Sequence, residues 1–293
     1  MKKIYVIGSV SIDLVVSTKV VPKKGETVLG ESFFTTPGGK GANQAVAAAR
    51  LGDNVHMIGR VGDDDFGQEV IENFKRNQVD VTHLNVVPHM ATGTAHITLA
   101  DNDNSIIVVP SANNEVTFAN IKDQLAQLEK GDIVLLQQEI PADTVEKVLA
   151  FCKQQGVVSI LNPAPYRDVS KEVIENADYL TPNETESAAL FEGHLDDALE
   201  RYPNKLIVTM GEKGACYFNG EKHVTVQSFK RDVKDTTGAG DTFNGALAVG
   251  LQKAFTLDKA IELANLAASF SVTGMGAQGG MPTWQEIEGE LNV

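Results

Sequence analysis

Six short apolar runs constrain this chain more than any other feature. They lie at residues 4–7, 55–58, 133–136, 157–161, 179–180 and 206–209, and the first stops at Gly8. Segments with helical spacing of apolar residues fall between several of them, at 43–51, 66–76, 121–128, 144–154 and 184–191. A short continuous apolar run has no polar side to offer water, so it reads as a strand covered on both faces. Alternation of such strands with helices predicts an α/β fold. The expected architecture is a three-layer α/β/α core with a mainly parallel central sheet.

Two segments break the alternation. Residues 13–36 are rich in Val, Thr and Phe and are punctuated by Pro22 and Gly25. Residues 94–109 read as two β runs, 95–99 and 105–109, joined by the turn signal Asp101-Asn102-Asp103-Asn104. They form either a pair of surface hairpins or a small β-sheet that protrudes from the core as a lid, and the lid is the expectation carried forward. The chain then reads as one domain over residues 1–293, with lid segments at about 13–37 and 92–110. The C-terminal third predicts two long helices, 239–251 and 257–273, with Thr256 as the N-cap of the second.

Charge and cysteine content exclude several classes. The formal net charge is -14 and no basic stripe interrupts it, which argues against a nucleic-acid partner. No stretch reaches the ~18 apolar residues of a membrane span, and the apolar run after Lys2-Lys3 is too short for a signal peptide. The two cysteines, Cys152 and Cys216, make no disulfide framework, and the six histidines show no metal-ligand spacing. A cytoplasmic protein without membrane or nucleic-acid partners is expected. An anionic ligand would have to be held by backbone amides and helix N-termini.

Three Gly-rich segments could provide such amides. Pro37-Gly38-Gly39-Lys40-Gly41-Ala42-Asn43 runs into an Ala-rich helix. It is not a P-loop, because Phe34 stands where the first Gly belongs and Gly41 follows the Lys. It is either a tight turn or a place where backbone approaches a small ligand, with Lys40 and Asn43 as donors. Gly274-Met275-Gly276-Ala277-Gln278-Gly279 matches G-x-G-x-x-G, but it follows a long helix rather than a strand. That context rules out a nicotinamide fingerprint and leaves a loop of carbonyls suited to a hard cation. Asp235-Thr236-Thr237-Gly238-Ala239-Gly240-Asp241-Thr242-Phe243 places a possible nest of free amides before a helix. Asp241 there is either an N-cap or a carboxylate that takes a proton while the amides hold a phosphoryl group.

The last segment resembles the C-terminal signature of the ribokinase (phosphofructokinase-B) family of sugar kinases. Gly38-Gly39-Lys40-Gly41-Ala42-Asn43-Gln44-Ala45 resembles its N-terminal signature. Asn162-Pro163-Ala164-Pro165 and Thr181-Pro182-Asn183-Glu184-Thr185-Glu186 resemble two further family segments, in the expected order. The resemblance implies ATP-dependent phosphorylation of D-ribose at its 5-hydroxyl, with Mg²⁺ and a monovalent cation, K⁺. It also implies a homodimer formed through the β lid.

Site roles follow from the same resemblance. Asp241 would be the base, and the amides of Gly238, Ala239 and Gly240 the anion hole. Ser11, Asp13, Gly39, Lys40, Asn43 and Glu139 would hold the sugar. Asn183, Thr209, Gly211, Glu212, Lys213, Gly214, Gly240 and Asn265 would line the ATP site. Glu186 would sit near Mg²⁺, through water. Asp235, Thr237, Ser271, Gly274, Gly276 and Gly280 would surround the monovalent cation. One position departs from the pattern: Ser11 stands where ribose-specific members usually carry Asn, and it offers one hydroxyl in place of two functional ends. That keeps deoxyribose, fructose or a nucleoside open as the acceptor. A non-catalytic sugar sensor on the same fold is a further alternative, which an intact base argues against.

Overall fold

The computed structural model describes residues 2–52, 54–100 and 103–291. The first half of the chain forms β1 (Ile4–Ile7), β2 (Ser11–Ser17), β3 (Ser32–Gly38), α1 (Lys40–Leu51), β4 (Val55–Gly62), α2 (Asp65–Arg76), β5 (Leu84–Val87), β6 (Gly93–Ala100), β7 (Asp103–Val109), α3 (Lys122–Leu125) and β8 (Ile133–Leu136). The second half forms α4 (Ala142–Gln155), β9 (Val158–Leu161), α5 (Lys171–Asn176), β10 (Tyr179–Leu180), α6 (Glu184–Leu190), α7 (Leu195–Arg201), β11 (Val208–Thr209), β12 (Ala215–Phe218), β13 (His223–Val226), α8 (Ala239–Gln252), α9 (Leu257–Ser271) and α10 (Trp284–Ile287).

The apolar runs build a six-stranded sheet in the order β10-β9-β8-β1-β4-β5, with every pairing parallel. Side chains alternate across it. Ile4 and Val6 of β1 join Ile133 and Leu135 of β8 in one core, packed under α1, α2, α8 and α9. Tyr5, Ile7, Val134 and Leu136 point the other way, into a core covered by α4, α5 and α7. A strand buried on both faces must be apolar at every position, which is why these runs do not alternate in sequence. Parallel bridges Leu180↔Leu206 and Asn183↔Thr209 carry the sheet on to β11, and β11-β12-β13 continues as an antiparallel ribbon.

The segments that broke the alternation form a separate four-stranded sheet, β3-β2-β6-β7. Strand β2 pairs antiparallel with β3 and parallel with β6, and β6 pairs antiparallel with β7. The expected turn at 101–104 has its first two residues, Asp101 and Asn102, outside the described residues. The helix expected over 121–128 shortens to Lys122–Leu125. Thr256 caps α9 as expected, its side chain accepting from the Lys259 N–H.

Two packing features place the site. The chain enters at β1, builds outward through β4 and β5, then returns to the other side of β1 with β8. The reversal leaves a crevice at the carboxyl ends of β1 and β8, where ligands of open α/β sheets bind. Helices α1 and α8 also approach closely at Gly245, where a Cβ would lie 2.8 Å from Ala47 Cβ and 2.8 Å from Gln44 O. Gly245 follows Asp241 by four residues and so shares its face of α8. The missing side chain lets α8 bring Asp241 against Asn43 and Gln44 of α1.

Candidate active site

Asp241 is the third residue of α8, and its side chain makes no capping bond. It is 6 % exposed. Its Oδ2 accepts from Asn43 Nδ2 at 3.0 Å and its Oδ1 from Gln44 Nε2 at 3.1 Å. The N-cap alternative therefore fails, because the carboxylate turns from its own helix toward α1. Burial pushes the Asp241 carboxyl above its usual range, while Lys40, Asn43 and Gln44 pull it back. Asp241 in turn is the main reason that the Lys40 ammonium lies above its ordinary value.

Gly238 holds the turn before α8 with φ 79° and ψ 1°, a left-handed conformation that favours glycine. A Cβ there would also strike Ala277 O at 2.3 Å. The Ala239 N–H donates to Thr236 O at 3.2 Å. Among the described residues the amides of Gly238 and Gly240 carry no hydrogen bond, and open space surrounds the Gly240 Cα. These amides and Asp241 line a cleft of ≈ 200 Å³ together with Lys40, Asn183, Glu186 and Thr209. Asn162, Thr181 and Asn244, which had no expected role, line it too. Asn244 ties the wall together: its Nδ2 donates to Gly240 O at 2.8 Å, and its Oδ1 accepts from Thr181 Oγ1 at 2.6 Å.

At the other end of the site, Glu139 follows β8 and its Oε2 accepts from Ser9 Oγ at 2.5 Å and from the Lys40 N–H at 2.9 Å. Asp13 stands on β2 opposite Thr36 of β3. Gly38 is forced by this carboxylate, since a Cβ there would lie 2.2 Å from Asp13 Oδ1. Asp13 accepts from Ser11 Oγ at 3.4 Å. Burial, opposed by the Ser11 bond and reinforced by Glu139 and Asp241, pushes the Asp13 carboxyl up to about 6. Gly39, with φ 90°, turns the chain into α1.

The expected nucleotide residues divide. Asn183 and Glu186 form a capping box on α6, the Glu186 N–H donating to Asn183 Oδ1 and the Asn183 N–H to Glu186 Oε2. Thr209 bonds Pro182 O through its N–H at 3.0 Å. Gly211, Glu212 and Lys213 form an exposed 3₁₀ turn, and Gly214 packs where a Cβ would lie 2.0 Å from Val226 O. Asn265 is buried on α9 and donates to Val226 O at 2.8 Å, so its side chain holds the chain after β13.

The residues expected around a monovalent cation lie in two loops that touch. Asp235 accepts from the Thr237 N–H at 2.9 Å and from the Gly276 N–H at 2.8 Å. Burial raises this carboxyl, but the hydrogen bonds outweigh it and leave it below its usual range. Gly274 packs on Gly280, and Gly280 on Ser271 O, at distances no Cβ would permit. Among the described residues the carbonyls of Thr237, Gly274, Gly276 and Gly280 accept no hydrogen bond. No group of three or more His, Cys, Asp or Glu there is placed to hold a metal. Several free carbonyls with one carboxylate suit a weakly charged cation.

A profile of the pfkB family of carbohydrate kinases matches residues 1–284. The chain is 53% identical over 289 residues to a ribokinase of Bacillus subtilis, covering 98% of this chain and 99% of that one. It is 47% identical to a ribokinase of Lactococcus lactis, covering 99% and 97%. The structure superimposes on Arabidopsis thaliana ribokinase complexed with ribose and ATP with a TM-score of 0.91, at 30% identity and 100% coverage of both chains. Fold, signature segments and similarity agree, and the chain belongs to the pfkB family of carbohydrate kinases.

Proposed function

We propose that this protein transfers the γ-phosphoryl group of ATP to the 5-hydroxyl of D-ribose, giving D-ribose 5-phosphate and ADP. The observation that carries the reading is the pairing of a buried carboxylate, Asp241, with the free amides of Gly238 and Gly240 in one cleft. Asp241 accepts the proton as the sugar oxygen attacks, and the amides bind the charge that gathers on the transferring group. Ser11, Asp13, Gly39, Lys40, Asn43 and Glu139 hold the sugar at the lid end. Asn183, Thr209, Gly211 to Gly214 and Gly240 face the nucleotide, and Asn265 supports that site from behind through Val226 O and Gln227 O. Glu186 would stand near a Mg²⁺ bound with the nucleotide, through water, and the ion would offset the negative charge of the phosphates.

K⁺ is the proposed monovalent cation, held by Asp235 and the carbonyls of Thr237, Ser271, Gly274, Gly276 and Gly280. It would fix the loop against Gly238 and add positive charge beside the anion hole. The lid sheet suggests a homodimer, since Phe33 and Ile107 on one face and Phe34, Ile106 and Val108 on the other are all exposed. No helix among the described residues is long and apolar enough to cross a membrane. Cys152 and Cys216 are free, and burial pushes their thiols up to about 12 and about 11. Inert thiols of this kind fit a cytoplasmic setting.

A coupled assay of ADP release against ribose, deoxyribose, fructose and adenosine, in Na⁺ and in K⁺, tests the activity, the acceptor and the cation. Ribose should turn over best, and K⁺ should raise the rate. Preference for deoxyribose would follow if the Ser11 hydroxyl, spent on Asp13, leaves a sugar hydroxyl unpaired. Ribose binding without turnover would make the protein a sensor, and indifference to K⁺ would remove the cation site.

A further inference from the structure

Behind Asp241 a line of side-chain amides, buried from Asn43 through Gln278 to Asn73, runs through half-buried Asn77 to Arg50. Arg50 Nε donates to Asn77 Oδ1 at 2.8 Å. Asn77 Nδ2 donates to Asn73 Oδ1 at 3.3 Å, and to Asn73 O at 2.9 Å. Asn73 Nδ2 donates to Gln278 Oε1 at 2.9 Å, and Gln278 Nε2 to Asn43 Oδ1 at 2.9 Å. Asn43 Nδ2 then donates to Asp241 Oδ2 at 3.0 Å. Asn73, Gln278 and Asn43 are 9%, 8% and 6% exposed, so water does not substitute for any of them.

Every bond in this line points the same way. The two ends enforce the direction, because a guanidinium can only donate and a carboxylate can only accept. Reversing any one amide would set oxygen against oxygen on one side and NH₂ against NH₂ on the other. The bonds inside are neutral amide pairs, which polarise one another in a medium of low dielectric.

We propose that Gln278, with Asn73 behind it, is a positioning residue for phosphoryl transfer: it locks the Asn43 carboxamide with its NH₂ toward Asp241 and so keeps that carboxylate a proton acceptor. The proposal rests on the reading of Asp241 as the base. Without Gln278, only the pull of the Asp241 carboxylate would keep the Asn43 NH₂ turned to it, with no second bond behind the amide to fix it. Gln278 also belongs to the loop that carries Gly274, Gly276 and Gly280. Arg50 Nη1 grips this loop at Gln278 O and Met281 O, both at 2.8 Å. The same line thus ties the loop of the proposed cation site to the base. The charged groups that face Asp241 are Lys40 on α1, Glu139 beyond β8, Asp13 on β2 and Glu186 on α6, and none of them belongs to it.

The test is Gln278→Met, which removes both bonds without adding charge. Turnover should fall by roughly tenfold, and the acidic limb of kcat/KM against pH should move up by about half a unit, with the thermal midpoint within a few degrees of wild type. Gln278→Glu should shift the limb further, since a carboxylate there demands the NH₂ of Asn43 as well as adding charge. Rescue by Gln278→Asn is not expected, because the shorter side chain cannot span Asn73 and Asn43. A folded Gln278→Met enzyme with wild-type turnover and an unmoved limb would overturn the proposal, and so would a loss of rate explained wholly by a smaller folded fraction. Asp241→Asn made in parallel separates the two readings. If that variant keeps turnover, the base assignment fails by itself. The line is then judged by calorimetric ribose affinity, which Gln278→Met must weaken several-fold through Asn43 and which, if unchanged, refutes it.

Discussion

Asp241 is 6 % exposed and receives hydrogen bonds from Asn43 and Gln44, and those amides have partners of their own in Gln278 and Gln137. Asp13, at the lid end, receives one side-chain bond, from Ser11 at 3.4 Å, and stands on a sheet whose strand β7 is exposed along its whole length. The first carboxylate is surrounded before any ligand arrives. The second is desolvated without being paired. A group that must act on a transition state gains from fixed partners, because no reorganisation is then needed at the moment of reaction. A group that must capture a sugar gains from being left hungry, since the incoming hydroxyls supply the missing donors.

The largest test of this contrast is Asp241→Asn. Turnover should fall by on the order of 10²-fold or more with the fold retained, as expected for loss of a general base. Wild-type-like turnover would remove the distinction between the two ends. Next is Asp13→Asn, which should raise the ribose KM by on the order of 10- to 10²-fold while changing kcat less, because charged hydrogen bonds to the sugar are lost. The same variant should melt higher in the ligand-free state at pH 7.5. The folded carboxyl titrates near about 6, above its unfolded value, so its contribution to stability is full at low pH and is lost as pH rises through about 6. Removing the charge should restore on the order of 2 kcal/mol. A lower midpoint would show that Asp13 is not the strained group.

Smaller effects probe the lid. Ile107 is 69% exposed on the face opposite Asp13, in register with Leu14 through His96. Ile107→Lys should dissociate the proposed dimer at micromolar concentration by light scattering, with only a few-fold rise in the ribose KM. An unchanged mass would place the subunit contact elsewhere. The smallest effect is on pH: ribose affinity measured by calorimetry should weaken roughly fourfold from pH 7.5 to 5.5, as Asp13 takes up a proton. A flat profile would mean that the sugar does not use its charged form.

The positions legible in the sequence were those whose chemistry is local. The apolar runs became strands because burial on both faces leaves no polar position, and Gly238 sat before a helix where amides are free by construction. The signature segments hold Lys40, Asn43 and Asp241, and the family pattern adds Asp13, but the partners of these side chains are not written in those segments. Gln44 and Asn162 lie inside two of the signature segments, and only the approach of α8 at Gly245 gives Gln44 a carboxylate to hold. Gln278 stands at an unspecified position of a Gly-rich loop, and its side chain reaches Asn43 from 235 positions away in sequence. Strands β5, β12 and β13 escaped notice because they are short, and β5 and β13 are half exposed, so their pattern is faint.

The sequence by itself determined the layer order, the strand-helix alternation, the turn of free amides at Gly238 and Gly240 and the family. Each depends on residues close together in the chain, where periodicity and backbone chemistry act directly. Tertiary structure alone decided that Asp241 turns from its own helix to α1, that Asp13 is desolvated against Gly38, and that amides line up one way from Arg50 to the cleft. Those outcomes need side chains from α1, α2, α8 and the 274–280 loop to meet, and the direction of a hydrogen bond is set by its neighbours in space.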